Sequence, residues 1–253
     1  MKTVNIRGVI LGEGIPKVCT PLVGRSLKEL REEINLLKDI DCDLVEFRAD
    51  FFEHVENIQK VKEVLLEIRE ALKEKPILFT FRSAKEGGER EVESEFYCKL
   101  NKEIIKTKLI DAIDIELFNE EESILELIKI AHDEDVKVVM SNHDFHKTPP
   151  KEEMISRLVK MQELGADVTK IAVMPKGSSD VLTLLEATND MKIKYAKTPF
   201  ITMSMKGVGM ISRISGEVFG SAVTFGASKK ASAPGQLQVK ELKEILNVVH
   251  NVL

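Results

Sequence analysis

Apolar residues along this chain are spaced in two ways that take turns from end to end. Short, nearly continuous apolar runs recur as KVCTPLV (17–23), DLVEFRA (43–49), PILFTFR (76–82), LIDAIDIE (109–116), VKVVMSN (136–142), VTKIAVM (168–174), PFITMSM (199–205) and SAVTFGA (221–227). Between them lie charged segments whose apolar positions return at helical spacing, among them 26–40, 58–74, 120–135 and 151–165, the last ending on Gly165. The runs read as strands buried on both faces and the segments as amphipathic helices, with Gly165 a stop signal. Eight strand–helix units in 253 residues match the count and size of a TIM-type (β/α)8 barrel. A doubly wound sheet would show the same alternation, but no GxGxxG follows the first strand. No Gly-, Pro- or Ser-rich linker divides the chain, so one barrel domain over 1–253 is predicted. Ahead of it, Val4, Ile6, Val9 and Leu11 alternate around Gly8 and Gly12, the pattern of a short β-hairpin.

A barrel strand sends alternate side chains outward to the helices and inward to the barrel axis. With the bulky apolar residues facing out, Glu46 and Arg48, Thr80 and Arg82, Asp114 and Glu116, and Lys170 and Ala172 all face in. His143 follows directly on the fifth strand. Charged groups from several strands therefore converge near the carboxyl ends, the face where barrel enzymes keep their catalytic groups. Two readings stand for this cluster. One is an internal ion network, with Lys170 held by Glu46 or Glu116. The other is a reactive site.

Composition narrows the second reading. A formal charge of −5 with 31% charged residues gives no support for a nucleic-acid footprint or a basic membrane patch. There is no apolar run long enough to span a bilayer and no signal-peptide pattern at the start, so a cytoplasmic protein is expected. Three scattered cysteines, Cys19, Cys42 and Cys98, form neither a disulfide framework nor a metal motif. No HxH or HExxH appears, and a magnesium site on Glu46, Asp114 and Glu116 would be crowded by Arg48, Arg82 and Lys170. Cations and a histidine around a pocket suggest an anionic substrate. A lysine buried among cations and apolar groups favours the neutral amine that attacks carbonyls. A Schiff base with a carboxylate-bearing ketone, and His143 as proton carrier, follows from that logic.

Several motifs in order along nearly the whole chain resemble the type I 3-dehydroquinate dehydratases: EFRAD (46–50), TFRSAKEGGE (80–89), DIEL (114–117), VVMSNHDF (138–145), GADVTKIAVMP (165–175), SRISGEVFGSAVTFG (212–226) and ASAPGQ (231–236). The resemblance implies a barrel closed at one end by the hairpin, no cofactor or metal, and a homodimer. It implies a lyase that dehydrates 3-dehydroquinate to 3-dehydroshikimate by syn elimination in the shikimate pathway. Lys170 would form the imine, His143 would move the proton, and Glu86 would orient and tune His143. Glu46, Arg48 and Arg82 match substrate-contacting positions, and Arg213 the partner of the substrate carboxylate. Ser232 and Gln236 match a lid after the eighth strand. Gly87 and Gly88 serve the turn beside Glu86. Lys229 and Lys230 are expected to face solvent, where they could draw in an anion. Where some family members carry a small hydroxyl residue, this chain has Thr20-Pro21-Leu22, and the first strand is left out of the candidate site. Rival readings are a class I aldolase-type barrel and a barrel that only binds carboxylates through Arg48, Arg82 and Arg213.

Overall fold

The computed structural model describes residues 2–228 and 232–253. It opens with an antiparallel hairpin of β1 (Val4–Ile6) and β2 (Val9–Leu11). Then come β3 (Lys17–Leu22), α1 (Leu27–Leu37), β4 (Leu44–Arg48), α2 (Ile58–Ala71), β5 (Ile77–Thr80), α3 (Ser94–Ile105), β6 (Ala112–Glu116) and α4 (Glu121–Asp133). The second half holds β7 (Lys137–Asp144), α5 (Lys151–Glu163), β8 (Val168–Val173), α6 (Ser178–Asp190), β9 (Phe200–Ser204), the short turns α7 (Ile211–Ile214) and α8 (Gly216–Phe219), β10 (Val223–Phe225) and α9 (Val239–His250). Strands β3 to β10 form one eight-stranded parallel sheet in the order β10-β3-β4-β5-β6-β7-β8-β9. A single bridge, Phe200 to Ser221, with the Ala222 amide donating to the Phe200 carbonyl at 2.8 Å, brings the two ends of the sheet together. The expected barrel is present.

Two apolar layers hold it. Outside the sheet, Val45, Phe47, Phe79, Ile113, Ile115, Ile171 and Val173 pack with the inner faces of the helices, Phe47 and Phe79 meeting edge to face at 5.9 Å. Inside, Leu44, Leu78, Ala112, Val139, Val168 and Ile201 form a separate cluster completed by Ile6 and Leu11 of the hairpin. The hairpin thus plugs the amino end of the barrel, and Arg7 Nε pins its turn to Asp111 at 2.7 Å. The strict inward–outward alternation follows from the period of two along a strand. Helix starts also follow the sequence: Ser26 and Asn57 accept from the Glu29 and Lys60 amides to cap α1 and α2. Gly165 ends α5 with φ of 103°, a conformation that glycine adopts without strain.

Three local expectations change. The fifth barrel strand runs through Asp144, so His143 lies within it rather than after it. The third ends at Thr80, because the chain turns there toward Asp50, whose Oδ1 accepts from the Arg82 amide at 3.4 Å. The seventh unit lacks a full helix. Ser212 Oγ accepts from the Ser204 amide at 2.9 Å and donates to the Gly209 carbonyl at 2.7 Å, folding the Gly-rich segment into turns. That tether sets the position of Arg213.

Candidate active site

A narrow cavity opens at the carboxyl end of the barrel. Its charged lining is Glu46, Arg48, Arg82, Glu86, His143 and Lys170, its apolar lining includes Phe145, Ala172, Met203, Met205 and Phe225, and Ser232, Ala233 and Gln236 close one side. Eight of the nine residues assigned from the sequence therefore meet around one space. Arg213 stands just behind the wall, its Nη1 donating to Met203 Sδ at 3.8 Å and its Nη2 to the Pro234 carbonyl at 3.1 Å.

Lys170 is 4% exposed, and its Nζ lies over the Phe225 ring, 4.6 Å from the centroid. Glu46 Oε1 and Asp114 Oδ2 are 3.6 and 3.7 Å away. Both distances exceed a hydrogen bond, so the amine is flanked by acceptors without being locked to either. This corrects the picture of a lysine among cations, and also the pairing with Glu116. The arginines are drawn aside by their own carboxylates. Arg48 forks onto Asp50 through Nε and Nη2, both at 2.8 Å, and lies against the Phe51 ring. Arg82 reaches Asp114 and Glu116 at 2.8 Å, Ser141 Oγ at 2.9 Å and Glu86 at 3.5 Å. Burial opposes the Arg82 charge, but Asp114, Glu116 and Glu86 outweigh it and hold the group firmly protonated. Burial likewise opposes the Asp114 charge, yet Arg82 and Lys170 keep its carboxyl below the ordinary value.

His143 is fixed by Glu86. Glu86 Oε2 accepts the His143 backbone amide at 2.9 Å and lies 2.9 Å from Nδ1, while Asn142 Nδ2 donates to Oε1 at 3.0 Å. With Nδ1 engaged, Nε2 is the ring nitrogen left for chemistry. Burial, reinforced by the charges of Arg82, Lys170 and Arg48, pulls the imidazole well below its usual pKa. Burial and the Glu116 charge push the Glu86 carboxyl up to about 8. Below that value a protonated Glu86 donates to Nδ1 and places the ring proton on Nε2. Above it, the carboxylate accepts from Nδ1–H and Nε2 is free to take a proton. The register sets the spacing to the lysine: Ser141 pairs with Lys170 and His143 with Ala172, so His143 sits one inward layer nearer the mouth, ~7 Å along the strand.

The turn that carries Glu86 depends on Gly87 and Gly88. Gly87 has φ of 81°, and a Cβ there would fall 2.3 Å from the Phe145 ring; at Gly88 it would fall 1.9 Å from the Arg82 carbonyl oxygen. Only glycine fits at either place. Ser232 and Gln236 clasp each other, Gln236 Oε1 accepting the Ser232 amide and Gln236 Nε2 donating to Ser232 Oγ, each at 2.9 Å. Lys229 and Lys230 lie outside the described residues. In β3, Pro21 pairs with Glu46 on the inward side, whereas Thr20 lies on the same side as Val18 and Leu22, which pack outside the sheet. Among the described residues, no group of three His, Cys, Asp or Glu side chains has the geometry to hold a metal ion.

The sequence profile of the type I 3-dehydroquinases matches residues 18–252. The chain belongs to the type I 3-dehydroquinase family. It is 59% identical to a 3-dehydroquinate dehydratase of Listeria welshimeri over 99% of both chains, and 57% identical to one of Bacillus licheniformis over 100% of this chain and 99% of that one. The crystal structure of a type I 3-dehydroquinate dehydratase from Clostridium difficile with covalent modified comenic acid superposes with a TM-score of 0.97 at 54% identity, covering 100% of this chain and 99% of that one.

Within this type I 3-dehydroquinase fold, sequence reasoning left out several groups that shape the site. Asp50, fully buried, receives the Arg48 fork and also the Arg82 and Glu89 amides, so it holds both ends of the Glu86 turn. It is the last letter of EFRAD. Asn142, next to His143, braces Glu86 and is itself held by Arg157 Nη1 at 2.7 Å. Phe225 is recoverable from strand parity alone, since it shares the inward face with Val223.

Proposed function

We propose that the chain dehydrates 3-dehydroquinate to 3-dehydroshikimate through a Schiff base on Lys170, as one barrel domain working in the cytoplasm without metal or cofactor. The observation that carries this reading is the placement of Lys170. Its primary amine is buried in the cavity wall with no hydrogen-bond acceptor in reach among the described residues, and it lies one strand from a histidine whose Nδ1 is engaged by a carboxyl group. The covalent adduct named for the Clostridium difficile relative is in keeping with a nucleophile there.

Nζ adds to the ketone carbon, and the carbonyl oxygen leaves as water once protonated, giving an iminium that draws electrons from the adjacent carbon. His143 Nε2 removes the alpha proton, and the C–H electron pair flows into the enamine. The enamine returns its electrons to expel the beta hydroxyl, which takes the proton from His143 and departs as water. Hydrolysis of the resulting iminium frees the enone and the amine. One base on one face performing both transfers makes the elimination syn. Glu46, Arg48 and Arg82 contact the substrate, and Glu86 sets the tautomer of His143.

Arg213 takes the substrate carboxylate. It is 2% exposed, and among the described residues no acidic side chain is paired with it and its Nε has no acceptor. Burial pulls it down to about 10. A buried guanidinium without a counter-charge favours an arriving anion, and its tie to Pro234 connects that binding to the Ser232–Gln236 lid. The homodimer that the family resemblance implies would cover exposed apolar side chains such as Leu182, Ile193, Tyr195, Val208 and Ile211 on α6, α7 and the segments beside them.

The test is growth of enone absorbance on adding 3-dehydroquinate. Lys170→Ala abolishes it, and His143→Ala still forms some imine while stalling elimination or hydrolysis. Wild-type turnover by His143→Ala overturns the proton-carrier role.

A further inference from the structure

Of the two carboxylates beside Lys170, one faces the cavity and one does not. Glu46 lines it and accepts from Thr80 Oγ1 at 2.9 Å through Oε1, the oxygen nearest the amine. Asp114 is 0% exposed and absent from the cavity lining. Its Oδ1 is fully engaged, accepting from Ser141 Oγ at 2.7 Å and lying 2.8 Å from Arg82 Nη2. Its Oδ2 is buried with no hydrogen-bond partner among the described residues and lies 3.7 Å from Lys170 Nζ. A buried carboxylate oxygen left unbonded carries an uncompensated desolvation cost, and native proteins leave few such atoms without a reason. Here the reason lies on the other side of the gap: a nitrogen that carries positive charge at set stages of the reaction.

We propose that Asp114 is the fixed counter-charge of the Lys170 nitrogen, with Oδ2 reserved for the N–H of the protonated imine. The inference rests on the Schiff-base reading above and assigns it a catalytic residue. When Nζ bonds to the ketone carbon and the oxygen departs as water, the nitrogen keeps one proton and one positive charge. That charge is neutralised when the alpha C–H pair moves into the enamine and returns when the beta hydroxyl leaves. Asp114 stabilises the charged stages on either side of the enamine, because its own charge is fixed: Ser141 and Arg82 hold Oδ1, and Oδ2 is buried outside the cavity lining. The other groups around the nitrogen do not duplicate this. Glu46 on β4 is open to the substrate, Phe225 on β10 offers only its ring face, and burial with the nearby cations disfavours a charge on His143 of β7. Preorganised charge in a dry site is the form of electrostatic stabilisation that does most for a developing cation.

The test is the initial rate of borohydride trapping with 3-dehydroquinate, read as intact mass of the Lys170 adduct across pH. It is run on wild type, Asp114→Asn, Asp114→Glu and Ser141→Ala. Borohydride reduces the protonated imine, so Asp114→Asn traps roughly 10²-fold more slowly, and the alkaline limb of its profile moves to lower pH. Asp114→Glu restores part of the rate. Equal trapping rates and limbs in wild type and Asp114→Asn overturn the proposal. Should Asp114→Asn fail to fold, Ser141→Ala decides: several-fold slower trapping supports the assignment and an unchanged rate overturns it. Absence of any wild-type adduct removes the Schiff-base reading itself, a result distinct from wild-type trapping that is indifferent to Asp114.

Discussion

Replacing Arg82 by methionine separates its two roles, substrate contact and internal counter-ion. Arg82 is 3% exposed and faces three carboxyls: Asp114 and Glu116 at 2.8 Å and Glu86 at 3.5 Å. Methionine fills much of the volume but leaves those groups without their cation. Glu116 keeps only the Ser83 amide at 2.9 Å, and Asp114 keeps Ser141 and the more distant Lys170. Breaking a buried pair from one side costs about 3–5 kcal/mol, which at about 2–4 °C per kcal/mol for a chain near this size lowers Tm by roughly 6–20 °C. The loss depends on pH, with a definite sign. In wild type the Asp114 carboxyl is held low, so its contribution is present above the unfolded value of about 3.9 and is lost only below it. In the variant the stranded carboxyls take up protons more readily, so the gap between the proteins is widest near neutral pH and narrows as pH falls toward about 4. Thermal scans of the two proteins without substrate, at one scan rate and two pH values, measure it. A Tm loss under about 2 °C, the same at both pH values, would refute the counter-ion role and leave Arg82 as a substrate contact alone.

Arg213→Met behaves oppositely: with no carboxylate partner to strand, Tm changes little, while KM for 3-dehydroquinate rises roughly 10–100-fold for a lost charged hydrogen bond. Unchanged KM removes the carboxylate assignment. Wild-type kcat/KM rises with pH through about 8 as Glu86 gives up its proton and frees His143 Nε2. Glu86→Gln lacks that limb, and a flat wild-type profile across the same interval contradicts the tautomer argument. Gly88→Ala pushes a methyl into the Arg82 carbonyl, displaces the Glu86 turn and lowers kcat more than it lowers stability. Parallel kinetics and thermal scans check the order.

The period-two pattern made the barrel legible, because inward and outward faces carry different chemistry along every strand. Val45 and Phe47 against Glu46 and Arg48 show the rule at work. The same parity brought Lys170, Glu46 and Arg82 to one end, with His143 expected just past the fifth strand. What it could not supply was pairing. Arg48 looks free in sequence and is forked onto Asp50 two residues on. Lys170 looks surrounded by cations and instead has carboxylates nearest, because Arg48 is held by Asp50 just past its own strand and Arg82 by Asp114 on β6. Pairing depends on the direction of long side chains across strands, which a linear pattern does not encode. The π-turn at Met191–Tyr195 and the short turns replacing a seventh helix were hidden for a related reason, since tertiary tethers such as Ser212 to Ser204 override local periodicity.

The central claim is that Lys170 is a nucleophile, not the cation of a structural ion network, and borohydride reduction in the presence of 3-dehydroquinate, followed by peptide mapping, tests it most directly. The account predicts a single stable adduct on the peptide containing Lys170, dependent on substrate and accompanied by loss of turnover. An active preparation that is reduced with substrate present, keeps its turnover and returns Lys170 unmodified would contradict it, and Lys170 would then be the cation held between Glu46 and Asp114.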